Sequence, residues 1–167
     1  MIQKYWYRIE VVESNYMEEE MKASDIVVSC LENEGVEFVF GIIGKEVLDL
    51  GDSLSASEKI TYIPVRHEQG AAFMADIYGR ISGKPGVCLA TLGPGAANLL
   101  TGMASANLDH SPVIALCGQK GLEDQHKNAH QFIDIQKVFR TCFKMGHPNK
   151  SSEFHSGNHQ KVLSTGR

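Results

Sequence analysis

Between residues 21 and 145 short apolar runs alternate with segments of helical period. Ala23, Ile26, Val27, Cys30 and Leu31 recur at i, i+3, i+4, i+7 and i+8, which predicts a helix that ends at Gly35. VEFVF (36–40) reads as a short buried strand, and the glycine-bearing turn GIIG follows it. Residues 45–54 suit a second helix, and ITYIPV (60–65) a second strand. An Ala-rich helix is predicted over 67–82, a strand at GVCLAT (86–91) and an Ala/Leu-rich helix over 95–107. PVIALCG (112–118) is a fourth strand, residues 131–140 are a further helix, and TCFKM (141–145) a short fifth strand.

Strands that are almost wholly apolar and separated by helices predict an α/β fold: a three-layer, doubly wound parallel sheet with helices on both faces. Its crossovers should be right-handed. Ligands in such folds sit beyond the carboxyl ends of the strands. The loops to weigh for chemistry are therefore GIIG, RHEQG, TLGPGAAN and GQKGLEDQ.

The pattern stops at both ends of this zone. Residues 1–20 form a polar extension, acidic towards its end. Residues 146–167 hold only Phe154, Val162 and Leu163 as apolar residues, so the tail is expected to be disordered, with too little to bury against its ordering entropy. The net charge of −4 excludes a basic nucleic-acid footprint and a polybasic membrane anchor. No apolar run approaches the roughly 18 residues of a membrane span, and the first 20 residues lack the apolar stretch of a secretory signal. Cys30, Cys88, Cys117 and Cys142 are scattered, three of them inside apolar runs, as expected of buried reduced thiols in a cytoplasmic protein. No spacing predicts a metal site.

Three loops carry candidate chemistry. TLGPGAAN (91–98) is close to G-x-G-x-x-G, but Asn98 replaces the last glycine and Pro94 supplies no N–H. The plainer reading is a tight strand-to-helix turn. GIIGKE fails as a P-loop, because Val39 and Glu46 stand where a glycine and a hydroxyl residue are needed. RHEQGAAFMAD is more informative: Glu68 follows the second strand almost at once, at the first turn of an Ala-rich helix. The helix dipole favours a carboxylate there, so Glu68 is either a structural helix-start acid or a catalytic one. Gly70, Ala71, Ala72 and Ala75 leave room for a helix or a flat ligand. Arg66 and His67 are open as partners of Glu68 or as solvated groups.

The stretch RHEQGAAFMADIYGRISGKPGVCLATLGPGAANLLTGMASANLDHSPVIALCGQ (66–119) closely resembles the N-terminal, pyrimidine-binding domain of thiamine diphosphate enzymes. The branch it resembles is that of acetolactate synthase and related 2-oxo acid decarboxylases and carboligases. The likeness covers roughly residues 21–145.

The resemblance implies that Glu68 hydrogen-bonds N1′ of the cofactor's aminopyrimidine ring and so promotes loss of the thiazolium C2 proton. It implies a cofactor-binding set of Ile43, Glu68, Thr91, Gly93 and Asn98, with Gln131 of AHQFID (129–134) facing a 2-oxo acid substrate. The helix after GPG resembles one that packs across a subunit boundary, which implies a homo-oligomer, although its small residues equally suit the chain's own sheet.

Two departures matter. Ile43 stands where the family has a proline in its first turn, and no GDG motif of a diphosphate-binding domain is present. The resemblance therefore implies that this chain holds only the pyrimidine half of thiamine diphosphate. Mg2+ and the diphosphate are expected on a partner chain. Two expectations follow: part of an enzyme completed by a separate diphosphate-binding chain, or a non-catalytic truncated fragment. The loss of pattern after Met145 fits the second, and a shifted reading frame would produce it.

Overall fold

The computed structural model describes residues 21–125, 127, 129–140 and 161–165. The N-terminal extension and the predicted strand at 141–145 lie outside the described residues.

The chain runs through α1 (Ala23–Asn33), β1 (Phe38–Gly41), a 3-10 turn (Lys45–Val47) and α2 (Leu48–Ala56). It continues through β2 (Thr61–Pro64), α3 (Glu68–Ser82), β3 (Gly86–Ala90), α4 (Pro94–Asn98) and α5 (Leu100–Leu108). β4 (Val113–Cys117), α6 (Ile135–Phe139) and β5 (Lys161–Thr165) complete it. The strand order is β2-β1-β3-β4-β5. The first four strands are parallel, with Phe38 opposite Thr61, Val39 opposite Val87, and Gly86 opposite Val113. This is the predicted doubly wound, three-layer arrangement.

Alternation along the strands divides the core in two. Val39, Val87, Leu89 and Leu116 face one side and bury Val28, Leu31, Leu50 and Leu54 of α1 and α2. Phe40, Cys88, Ala90, Ala115 and Cys117 face the other, against Ala71, Ala72 and Ala75 of α3, Met103 and Ala106 of α5, and Phe139 of α6. Every residue of β3 is buried, as expected for a central strand covered on both faces.

Small residues set how closely α3 approaches. A Cβ on Gly86 would overlap the backbone carbonyl oxygen of Ala75, and one on Gly102 would lie 2.6 Å from the Ala72 Cβ. The small residues after GPG thus serve the chain's own α3–α5 contact. Because the neighbour at Gly86 is backbone, relief requires the helix to move. Gly86→Ala is expected to cost about 1–3 kcal/mol, read as a lower urea midpoint at unchanged slope.

Three local features differ from the sequence reading. The helix predicted over 95–107 is broken at Leu99, whose N–H reaches back to Ala96 at 3.1 Å in a tightened turn. The helix predicted from 131 begins only at Ile135, because the Asp134 side chain caps it by accepting the Lys137 N–H at 3.1 Å. The tail expected to be disordered contributes β5, which pairs antiparallel with β4 from Val113–Thr165 to Cys117–Lys161. An edge strand offers unpaired backbone groups, and the backbone of Lys161–Thr165 takes up those of β4.

Candidate functional site

Glu68 is the first residue of α3, delivered there by the short link from β2. His67 caps the helix, its Nδ1 accepting the Gln69 N–H at 3.2 Å. His67 and Arg66 are both exposed, so the capping role falls to His67 while Glu68 turns inward. Glu68 is 8% exposed. A carboxylate in the first turn gains from the helix dipole and need not be paired with a cation.

The loop after β3 supplies its neighbours. Gly93 has a φ of 56°, a backbone turn that L side chains rarely adopt, and Pro94 then starts α4. This turn carries Asn98 back over Glu68, and the Asn98 Nδ2 donates to Glu68 Oε2 at 2.9 Å. Glu68 Oε1 takes no hydrogen bond among the described residues. It lies beside Gly95, where a Cβ would stand 3.2 Å from it and 2.9 Å from the Thr91 Cγ2. One carboxylate oxygen is therefore anchored, and the other borders a surface kept flat by glycine.

The remaining predicted positions fall as follows. Thr91 directly follows β3 and is half-buried. Gly93 packs its Cα against Gln131, where a Cβ would overlap the Gln131 carbonyl oxygen. Gln131 itself is exposed, with a φ of 56°, on a loop rather than a helix. Ile43 packs with the α1/α2 side of the core, against Gly51. At that turn it is the backbone of Gly44 that comes up against Thr91.

Two charged residues escaped the sequence reading. Glu46 Oε2 accepts the Thr91 hydroxyl at 3.1 Å, and Glu46 Oε1 pairs with Lys120 Nζ at 2.7 Å. Burial would raise the Glu46 pKa, but hydrogen bonds from Lys120 and Thr91 outweigh it and hold the carboxyl below its ordinary value. The signal was present as opposite charges on two loops at the same rim. Next to Lys120, buried Gln119 donates from Nε2 to the Ile133 carbonyl at 2.9 Å and so holds the loop that carries Gln131.

Away from the rim, Cys88 and Cys117 are buried free thiols. Burial pushes both upward, Cys117 to about 12, so neither is an activated nucleophile. Among the described residues no three His, Cys, Asp or Glu side chains gather as a metal set. No helix among them is long and apolar enough to cross a membrane.

A doubly wound parallel sheet with a buried acid and a glycine-shaped shelf at its carboxyl rim is the form of a cofactor-binding α/β domain. The chain belongs to a defined family of that class: residues 21–138 match the thiamine pyrophosphate enzyme N-terminal TPP binding domain. It is 51% identical over 121 residues to the catabolic acetolactate synthase of Raoultella terrigena, covering 72% of this chain and 22% of that protein. It is 44% identical over 123 residues to acetolactate synthase of Bacillus subtilis, covering 74% and 21%. It is 41% identical over 138 residues to acetolactate synthase 3, chloroplastic, of Brassica napus, covering 82% and 21%. The chain spans about a fifth of the length of these relatives.

Proposed function

We propose that this chain forms the aminopyrimidine side of a thiamine diphosphate site in a 2-oxo acid decarboxylase or carboligase resembling acetolactate synthase. A separate chain with a diphosphate-binding domain completes it. The observation that carries this reading is Glu68: buried, fixed through one oxygen by Asn98, and open through the other beside Gly95. That arrangement fits a planar heteroaromatic ring with a basic nitrogen. When bound, the cofactor supplies a nucleophilic carbon and holds the electron pair left when a 2-oxo acid loses CO2. Glu68 holds and shares a proton at N1′ of the ring. Thr91 and the Gly93–Gly95 turn line the ring, and Asn98 keeps the carboxylate aimed. Gln131 stands on a neighbouring loop, towards the substrate.

The partner is supported by the surface of α3. The outward face of α3 carries Phe73, Met74, Ile77 and Ile81, all exposed, and Ile81 is 81% accessible. Phe40, Phe73, Met74, Ile77 and Tyr78 line an apolar hollow of about 460 Å³. A patch of this kind marks a protein contact. Mg2+ and the diphosphate belong on the partner domain, and the free thiols suit a reducing, cytoplasmic setting.

Calorimetric titration with thiamine diphosphate and Mg2+ tests the division of labour. Weak binding to this chain alone is expected, because the diphosphate carries most of the charge that anchors the cofactor. Addition of a diphosphate-binding chain should tighten it. Tight binding to the isolated chain would overturn the proposed split.

A further inference from the structure

We propose that Glu46 is a positioning residue that holds the methyl group of Thr91, rather than its hydroxyl, against the Glu68 side of the site, and that Lys120 fixes Glu46 for this task. The inference rests on the cofactor reading above and deepens it.

Thr91 sits between two glycines. A Cβ on Gly44 would lie 2.6 Å from the Thr91 Oγ1 and 3.0 Å from its Cγ2, and one on Gly95 would lie 2.9 Å from Cγ2, with Oγ1 not among its nearest neighbours. The methyl is thus the Thr91 group that meets the shelf bordered by Glu68 Oε1, while the hydroxyl is directed to Glu46 in the turn after β1. A 120° turn about χ1 would put the hydroxyl where the methyl now stands and the methyl where the Cβ hydrogen stands. Rotation would bring the hydroxyl to the shelf and make an apolar wall polar. What selects the observed state is the Glu46 carboxylate, the acceptor of that hydroxyl at 3.1 Å.

Glu46 is itself constrained. Its side chain is 12% exposed and that of Lys120 22%, at a separation of 2.7 Å. Burying such a pair costs desolvation, so it is weak evidence for stability and better suited to fixing a geometry. The pair joins the turn after β1 to the loop after β4, and Thr91 joins both to the end of β3. Three neighbouring strand ends are thereby locked around one side-chain rotamer.

The test uses the full chain with methyl-labelled threonine. Three-bond couplings from Thr91 Cγ2 to its carbonyl carbon and amide nitrogen report χ1. Wild type should show a single rotamer, and Glu46→Ala an average of two, with Lys120→Met between them. Binding of 4-amino-5-hydroxymethyl-2-methylpyrimidine, followed by the shift of the Asn98 side-chain amide, should weaken about 2–10-fold in Glu46→Ala, the range expected for ordering one side chain. Lys120→Met, which loosens Glu46 and keeps Thr91, serves if Glu46→Ala does not fold, and Thr91→Val removes the donor while leaving the Glu46–Lys120 pair in place. With no hydroxyl to turn onto the shelf, a Thr91→Val chain should bind the probe no more weakly when Glu46→Ala is added. Unchanged Thr91 couplings in a folded Glu46→Ala, or additive losses in the double variant, would overturn the proposal. A wild-type chain that takes up no pyrimidine would overturn the cofactor reading instead, and the couplings would still decide whether Glu46 sets the rotamer.

Discussion

On the function proposed above, Glu68→Gln is expected to slow exchange of the cofactor's C2 hydrogen by about 10²–10⁴-fold, the usual size of a general acid–base contribution. The amide keeps an oxygen for Asn98, so the side chain stays where the carboxylate was. What it loses is the capacity to share a proton with a ring nitrogen. Folding should change little, because a first-turn acid contributes only roughly 0.3–1 kcal/mol. The measurement is hydrogen–deuterium exchange at C2 with cofactor bound, with thermal melts as control. Exchange at the wild-type rate would reduce Glu68 to a helix-start acid.

The largest expected effect on stability lies elsewhere, at Arg80. Asp76 is fully buried in α3, and Arg80 embraces it with Nε at 2.8 Å and a terminal nitrogen at 2.5 Å. Arg80 also bonds the Ser111 hydroxyl at 3.1 Å and pairs with Asp109 at 2.5 Å, tying α3 to the start of β4. Arg80→Met would leave a carboxylate in the core without its cation. The cost should be about 3 kcal/mol, the low end of the range for a broken buried pair, since Arg80 itself is partly solvated and Ser111 remains. A fall in melting temperature of roughly 10 °C follows for a domain of this size.

The pH dependence distinguishes this cause from lost packing. Burial raises the Asp76 pKa, but the Arg80 and Ser111 hydrogen bonds outweigh it and leave the carboxyl below its ordinary value. A lowered folded pKa gives stability that is present above the unfolded value of about 4 and is lost as pH falls through the folded one. Without Arg80 the burial effect dominates and the sign reverses. The variant should therefore begin to gain stability relative to wild type as pH falls towards 4, where protonation relieves the buried charge. A wild-type–variant gap that stays constant from pH 7 to pH 4 would show that the ion pair is not the cause.

The layers of the fold were legible because period and composition agreed along the strands. GVCLA and VIALC are apolar at every position and could only be central strands. Glu68 was legible as a helix-start residue at the ligand rim, but its chemistry came with the resemblance. Its partner Asn98 lies 30 residues away, and no local pattern pairs them. Gln131 looked helical because its segment has apolar residues at suitable spacing. Its backbone is set instead by the approach of Gly93, a contact that no local pattern encodes. The Glu46–Lys120 pair joins residues 74 apart, and each alone reads as an ordinary surface charge.

The exposed apolar face of α3 has a practical consequence for work on this chain. Phe73, Met74 and Ile77 border a hollow open to solvent on a helix whose opposite face is packed against the core. Dyes that fluoresce on apolar surfaces should bind the native fold there. Such a signal is ordinarily taken as the mark of a loosened, molten state. For this chain, bright dye fluorescence together with intact near-ultraviolet circular dichroism would report a well-ordered molecule, and loss of the dye signal on adding another protein would be a direct optical readout of that face being covered.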